Sequence, residues 1–409
     1  MASSSMPSSM PFQALHATSK DSKLDAMTEQ IYGLLHREFD YIRMASTQSK
    51  PVSLPRLHAQ WRPSIFEWFY KIIDHFLLER GIVAIAMDYV DRFLLTTSCR
   101  QLDNASSFKM EGLRDLDKMP VKTYQLVAMS SLYVAMKLHA GNEPGSEAHP
   151  WRTKRKTFCI NGFVKLSRGQ FIAEDVLSME SLILQTLTWK MNPVTVSCFL
   201  DSFMDLFPRP KEILRELTRD GARPKPDILA KHRKHLGVAM HVLHELSRYL
   251  VELAICVPGL TPYFETDHSG QYMNQIAPSA ISYAAILLAL DMMSTSAIPQ
   301  LARQMFVARV TKAQDSLVCA LSSLSAIKYL RYDPRDPEVL ELKHLILGSF
   351  VPSLVLGPLT GQEGPEGSTP TYHPFKVAKS AGMFNMRYFK NDDAPMISSP
   401  TSPLDSSMV

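Results

Sequence analysis

The chain has 409 residues, 45% of them hydrophobic, and a net charge of +4 from 44 Lys and Arg against 40 Asp and Glu. That length predicts two domains plus tails rather than one small core, and the near balance of charge removes any need for obligatory binding to nucleic acid or to an anionic membrane surface. The five cysteines, Cys99, Cys159, Cys198, Cys256 and Cys319, show no C-x-x-C spacing, which argues against a zinc ribbon or a disulfide framework and fits a reduced, intracellular chain.

Residues 1–22 are rich in Ser, Met and Pro and carry too little apolar surface to offset ordering, so a disordered N-terminal tail is expected. They lack the basic and apolar regions of a secretory signal. Residues 23–60 are predicted to hold one amphipathic helix, with Leu24, Met27, Ile31, Leu34 and Leu35 at helical spacing, followed by a linker at Pro51 and Pro55. A first domain is expected over 61–190. Ile65, Phe69, Ile72 and Phe76 form the stripe of its first helix, and Val83, Met87, Val90 and Leu94 repeat the spacing after Gly81. The third helix, from Val121, is apolar on nearly every side (Leu126, Val127, Met129, Leu132, Val134, Met136) and reads as the surrounded centre of a bundle. Long polar loops flank it, the second carrying Arg152-Thr-Lys-Arg-Lys156, and a short apolar piece from Phe163 to Leu166 leads into a helix bearing Glu180.

The pattern then begins again, so a second domain is expected over 191–335. Asn192 precedes Pro193 as a predicted N-cap with proline at the first helical position, and Phe199, Phe203 and Leu206 continue that helix. A Pro-rich, charged insert from Pro208 to Asp227 separates it from a long helix with Val238, Val242, Leu246, Leu250 and Leu253. Pro278 opens an apolar helix over Ala280 to Leu290, well short of the ~20 residues that cross a bilayer. Two further stripes follow, Leu301 to Val310 and Leu317, Leu321, Leu324 and Ile327. Residues 336–409, including the Gly- and Pro-rich stretch 361–374, are expected to be a mostly disordered tail. The fold class is all-α: two tandem five-helix units, each round a buried third helix, with an N-terminal helix and disordered termini.

Several charges sit where their neighbours call for burial, which is costly without a partner. Asp91 and Arg92 lie in Asp88-Tyr-Val-Asp-Arg-Phe-Leu94, Lys137 closes the apolar third helix, and Glu180 follows Met179 ahead of Ser181-Leu-Ile-Leu184. In this order, with Arg62 upstream, the chain resembles the cyclins, the regulatory subunits of cyclin-dependent protein kinases. The resemblance is specific over Trp61 to Leu187 and rests on pattern alone from Asn192 to Leu330. It implies that the two units are cyclin boxes, that Arg62 and Asp91 form a buried pair fixing the first helix to the second, and that Leu126 is a packing residue beside Arg92. It implies further that Lys137 and Glu180 face the kinase and hold its mobile helix in the active position. On residues alone, an ion pair between Lys137 and Glu180 within the domain is the competing reading.

The family's cleft for substrate or inhibitor peptides is matched only in part, by Trp61, Ile65, Trp68 and Gln125. Lys71 stands where an acid is usual, which should repel the basic end of a docking peptide and leave a weakened cleft. The aromatic and acids that usually follow the lysine are replaced by Leu138-His-Ala-Gly-Asn-Glu143, and neither an Arg-x-x-Leu signal nor a Lys-Glu-Asn box is found at the N-terminus. Ser399 and Ser402, each followed by Pro, are candidate phosphorylation sites for a degradation signal, and Arg152 to Lys156 is a candidate nuclear import signal, although solvated flexible segments carry such residues too. No catalytic constellation, metal-ligand spacing or phosphate loop is found, so no enzyme activity, cofactor or metal is expected. The expected partner is a cyclin-dependent kinase in cell-cycle control, with neither nucleic acid nor membrane, and the expected location is nucleus and cytoplasm. A polymerase-directed transcriptional cyclin is the alternative. A TFIIB-type transcription factor is disfavoured by the lack of a zinc ribbon and of excess basic charge, and a scaffold by the retention of Lys137 and Glu180.

Overall fold

The computed structural model describes residues 12–46, 56–103, 121–139, 160–218, 226–257, 260, 276–321, 332–350 and 373–389. These residues form helices and turns with one isolated antiparallel bridge, Met293 to Phe384, and no named strand. In chain order the helices are α1 (Phe12–Ser46), α2 (Arg56–His75), α3 (Gly81–Asp103), α4 (Val121–His139), α5 (Ile160–Val164) and α6 (Ala173–Thr186). Then come α7 (Val196–Asp205), α8 (Pro210–Leu217), α9 (Pro226–Cys256), α10 (Pro278–Met292), α11 (Gln300–Leu321), α12 (Pro337–Gly348) and α13 (His373–Ser380). No helix among the described residues is long and apolar enough to cross a membrane.

The two predicted central helices are the two most enclosed. Between Tyr124 and Met136 of α4 every residue except Leu126 is buried, and between Ser279 and Met292 of α10 every residue except Asp291. Around α4 a first core gathers Ile65, Phe69, Val83, Val90, Phe163 and Ile183 from α2 to α6. Around α10 a second core gathers Phe199, Phe203, Leu246, Tyr283, Phe306 and Tyr332. Tyr283 donates its hydroxyl to the carbonyl of Tyr332 at 2.9 Å, which satisfies the polar tip of a buried ring.

Several elements differ from the sequence expectation. The first helix begins at Phe12, inside the stretch expected to be a tail, directly after Pro11 and through the helix formers Gln13-Ala-Leu-His-Ala17. Its stripe packs on the second core rather than the first, with Ile31 and Leu35 buried there. Glu38, one turn further on, accepts from Ser279 N at 2.8 Å and Ser279 Oγ at 2.7 Å, and so caps the start of α10 from 241 residues away. The helix expected at Asn192 starts at Val196 instead. Proline disfavours helical backbone at the residue before it, and the Asn192 carbonyl is held by side chains from α1. Within the charged insert, Pro210–Leu217 forms α8 and buries Ile213. The stripes from Leu301 and from Leu317 lie on one continuous helix, α11, while Leu324 and Ile327 fall outside the described residues.

The largest correction concerns residues 336–409. Asp336 caps α12 by accepting from Glu338 N at 2.9 Å, and Val339, Leu342 and Ile346 are buried. Further on, α13 and the segment to Phe389 form a strap across the end of α10: Asn385 N donates to Met292 O at 2.7 Å and Ser294 N to Met383 O at 2.8 Å. Phe375, Met383, Phe384 and Phe389 are buried, and the Phe389 ring lies 5.0 Å from Phe384 and 5.6 Å from Phe350. The strap's apolar residues are few and separated by Gly, Ser and Lys, so neither helical nor strand periodicity shows; aromatic anchors supply the burial instead.

Truncating such anchors removes transfer energy and leaves cavities. Phe384→Ala and Phe389→Ala are each expected to cost ~3–5 kcal/mol in urea unfolding; losses below ~1 kcal/mol would show that the strap is not part of the second core. Burial also raises the Glu38 carboxyl from 4.5 to about 7 against the opposing Ser279 bonds. The folded chain therefore holds this proton after the unfolded chain has released it, so the contribution is intact below pH 4.5 and is lost as pH rises to about 7. Unfolding of wild type and Glu38→Gln, compared at pH 5 and pH 7.5, should show a smaller loss in the variant. Glu252, raised by burial in the same direction against Arg80, contributes equally to both proteins.

Candidate functional site

Arg62 lies on the first-core side of α2 and Asp91 on the facing side of α3. Their side chains meet at 2.5 Å, Nη1 to Oδ1, at only 4% and 2% exposure. The guanidinium also stands 5.1 Å from the centre of the Phe66 ring, and the buried Tyr124 hydroxyl is driven above its ordinary range by desolvation with Asp91 nearby. Arg92, the next residue along α3, turns the other way. Its Nε donates to Asp88 at 2.7 Å and its Nη2 to the carbonyl of Lys190 at 2.8 Å, with the rings of Tyr41 and Tyr89 at 5.5 and 5.8 Å.

Lys137 and Glu180 are also brought together. Lys137 Nζ lies 2.8 Å from Glu180 Oε1, with the lysine 52% and the glutamate 10% exposed, and that hydrogen bond raises the lysine pKa. Leu138 adjoins this pair, Leu177 lies one turn before Glu180, and Ile172 precedes α6; all three are exposed. The ion pair thus links the end of α4 to the middle of α6.

Of the other sequence candidates, Leu126 is half-buried against the first core, as are Trp61 and Trp68. Ile65 is fully buried and Gln125 nearly so, so both point inward instead of lining an open cleft. Lys71 pairs with Glu67 at 2.8 Å on the exposed side of α2. Ser399, Ser402 and the run Arg152–Lys156 lie outside the described residues.

Sequence reading did not find the groups that join the two cores. Three successive carbonyls after α6 are all occupied: Lys190 by Arg92, Met191 by the Tyr89 hydroxyl with His139 Nε2 at 3.2 Å, and Asn192 by Arg37 and Tyr41, each at 3.1 Å. Arg80 pairs with Glu252 of α9 at 2.5 Å, and Ile255 and Cys256 at the end of α9 pack on the first core. Glu38 had one visible signal, an acid at a stripe position after Ile31 and Leu35. A cavity of about 70 Å³ lies where these elements meet, lined by Glu38, Tyr41, Arg62, Asp88 and Asp91 among others. Among the described residues no group of His, Cys, Asp and Glu could hold a metal ion.

The N-terminal domain of cyclins matches residues 31–192, which spans α1 from Ile31, the whole first core and the three occupied carbonyls. Residues 31–192 of the chain are thus similar to the N-terminal domain of cyclins. Among curated proteins the chain is 25% identical over 175 residues to G1/S-specific cyclin-E1 of Gallus gallus, covering 42% of the chain and 34% of that protein. It is 25% identical over 154 residues to G1/S-specific cyclin-E of Hemicentrotus pulcherrimus, covering 38% and 28%. With G1/S-specific cyclin-E1 of Danio rerio it shares 24% identity over 198 residues, covering 48% and 38%. The chain thus matches about a third of the length of these relatives.

Removing one member of a buried pair strands the other charge. Asp91→Ala should therefore destabilise by ~3–5 kcal/mol, and Arg62→Met/Asp91→Leu together by clearly less. Equal losses in denaturant unfolding for the single and double variants would contradict this account of the pair.

Proposed function

We propose that this chain is a cyclin, a non-catalytic regulatory subunit that binds a cyclin-dependent protein kinase and switches it on in cell-cycle control. The observation that carries the reading is the Lys137–Glu180 pair, whose lysine is half exposed while its glutamate is nearly buried, on helices that also carry or follow exposed Leu138, Ile172 and Leu177. The half-exposed Lys137 ammonium is screened by water, so its end of the pair is held only weakly. It can therefore exchange its internal bond for charge-assisted bonds to a partner at little cost, while the apolar rim gains by being covered. A kinase helix held by both charges would be kept in its active position, which is population selection between two states of the enzyme. The names of the relatives, G1/S-specific cyclins, support a role at cell-cycle entry. The inward-facing Ile65 and Gln125 and the exposed Lys71 support a weakened peptide-docking cleft. Nuclear as well as cytoplasmic location is part of the same proposal.

The test is co-purification with candidate cyclin-dependent kinases, followed by a phosphorylation assay. Lys137→Ala/Glu180→Ala should abolish binding and activation while leaving the helical fold intact, because removing both charges strands neither. Full kinase activation by the folded double variant would refute the assignment of these two residues, and failure of the wild-type chain to bind any such kinase would refute the activator reading itself.

A further inference from the structure

Residues 152–168 and 209–235 are the two stretches richest in surplus positive charge, and the second includes described, exposed helix. Residues 209–235 hold nine Lys and Arg against four Asp and Glu, a surplus of +5, while the whole chain carries +4. The described part of this stretch lies on α8 and the beginning of α9, and every residue from Asp227 to Lys234 is exposed. A helix lying on a core hides one side. Exposure all round means that α9 projects ~12 Å beyond the second core before Leu236, its first buried residue.

The projection is not merely a solvated end. The stripe that buries Leu236, Ala239, Leu243, Leu246 and Leu250 continues backwards at helical spacing through His232 to Ile228 and Leu229, yet both of these are exposed. Leu217, at the end of the adjacent α8, is exposed as well. Lys231, Arg233 and Lys234 flank the exposed stripe, and from Asp227 to Lys234 the only acid is Asp227 itself.

We propose that the projecting start of α9 is a docking surface for an acidic segment of a partner protein that also carries apolar side chains. Its carboxylates would pair with Lys231, Arg233 and Lys234, and its apolar side chains would cover Ile228 and Leu229. The charge selects an acidic ligand, and the exposed Ile and Leu select a protein over a nucleic acid, because phosphate backbones are held by charge and bases by aromatic stacking, neither of which covers aliphatic side chains. The surface belongs to the second core, whereas the Lys137–Glu180 pair belongs to the first, so a segment docked here adds a recruitment site independent of the proposed kinase contact.

The test uses the full chain and a displayed random library of peptides about twelve residues long, counter-selected on Lys231→Glu/Arg233→Glu/Lys234→Glu. All three residues are exposed, so circular dichroism and unfolding midpoint should match wild type. Enriched peptides should combine several Asp or Glu with Leu, Ile or Phe. A synthesised representative should lose about tenfold or more in affinity to the charge-reversed variant and about threefold or more to Ile228→Ser/Leu229→Ser. Absence of acidic enrichment overturns the proposal. So does binding that ignores Ile228→Ser/Leu229→Ser, or a short DNA duplex that competes as well as the peptide, since either would make the surface a general polyanion site.

Discussion

Three consecutive peptide carbonyls, those of Lys190, Met191 and Asn192, determine how the two cores meet. The connection between the cores leaves α6 through Thr188 and Trp189, both in the left-handed region at φ 52° and 60°, which costs a non-glycine residue ~1–2 kcal/mol. Leucine 184 accepts from Trp189 N at 3.0 Å to hold the reversal, and side chains from α1, α3 and α4 then occupy each of the next three carbonyls. Freed from those bonds, the strained turn would be held only by its own backbone hydrogen bonds. Arg92 and Tyr89 are thus joint residues, since each links a helix of the first core to the backbone that enters the second.

The same chemistry serves opposite ends in the two ion pairs. Arg62 and Asp91 are sealed from water, so neither can leave the other without a large desolvation cost, and they fix α2 against α3. Lys137 and Glu180 form a bond of ordinary length in which the lysine is half exposed and open to water while the glutamate is nearly buried. The first pair is a structural commitment and the second is a reversible one. Burial alone separates them.

What was legible in the sequence is what periodicity writes. The featureless stretches around Val127 to Met136 and Ala280 to Leu290 could only be enclosed helices, and they are the centres of the two cores. Arg62, Asp91, Lys137 and Glu180 stood out because charges are rare in such surroundings, and their order carried the resemblance. Partner choice between elements was not legible. The stripe Ile31 and Leu35 says that α1 has a buried side, but nothing local says that it lies on the second core, and Glu38 finds Ser279 only through the tertiary fold. The strap around Phe384 and Phe389 was hidden for a different reason: its burial comes from isolated aromatic rings on an irregular backbone, which leaves no period to read.

The way α1 and the strap close on the same core has a consequence for the order of assembly. The first core draws on α2 to α6, with only the end of α9 added from elsewhere, so nearly all of it is available early in synthesis. The second core needs Ile31 and Leu35 from one end of the chain and Phe384 and Phe389 from the other. Its closing contacts span almost the full sequence, and bringing such distant segments together carries a loop-closure entropy that local helix pairing does not. During vectorial synthesis α1 must wait, with its apolar side uncovered, until Ser279 and the helices around it have emerged. A ribosome that stops short of Phe389 would release a chain whose first core is complete and whose second core lacks its final layer.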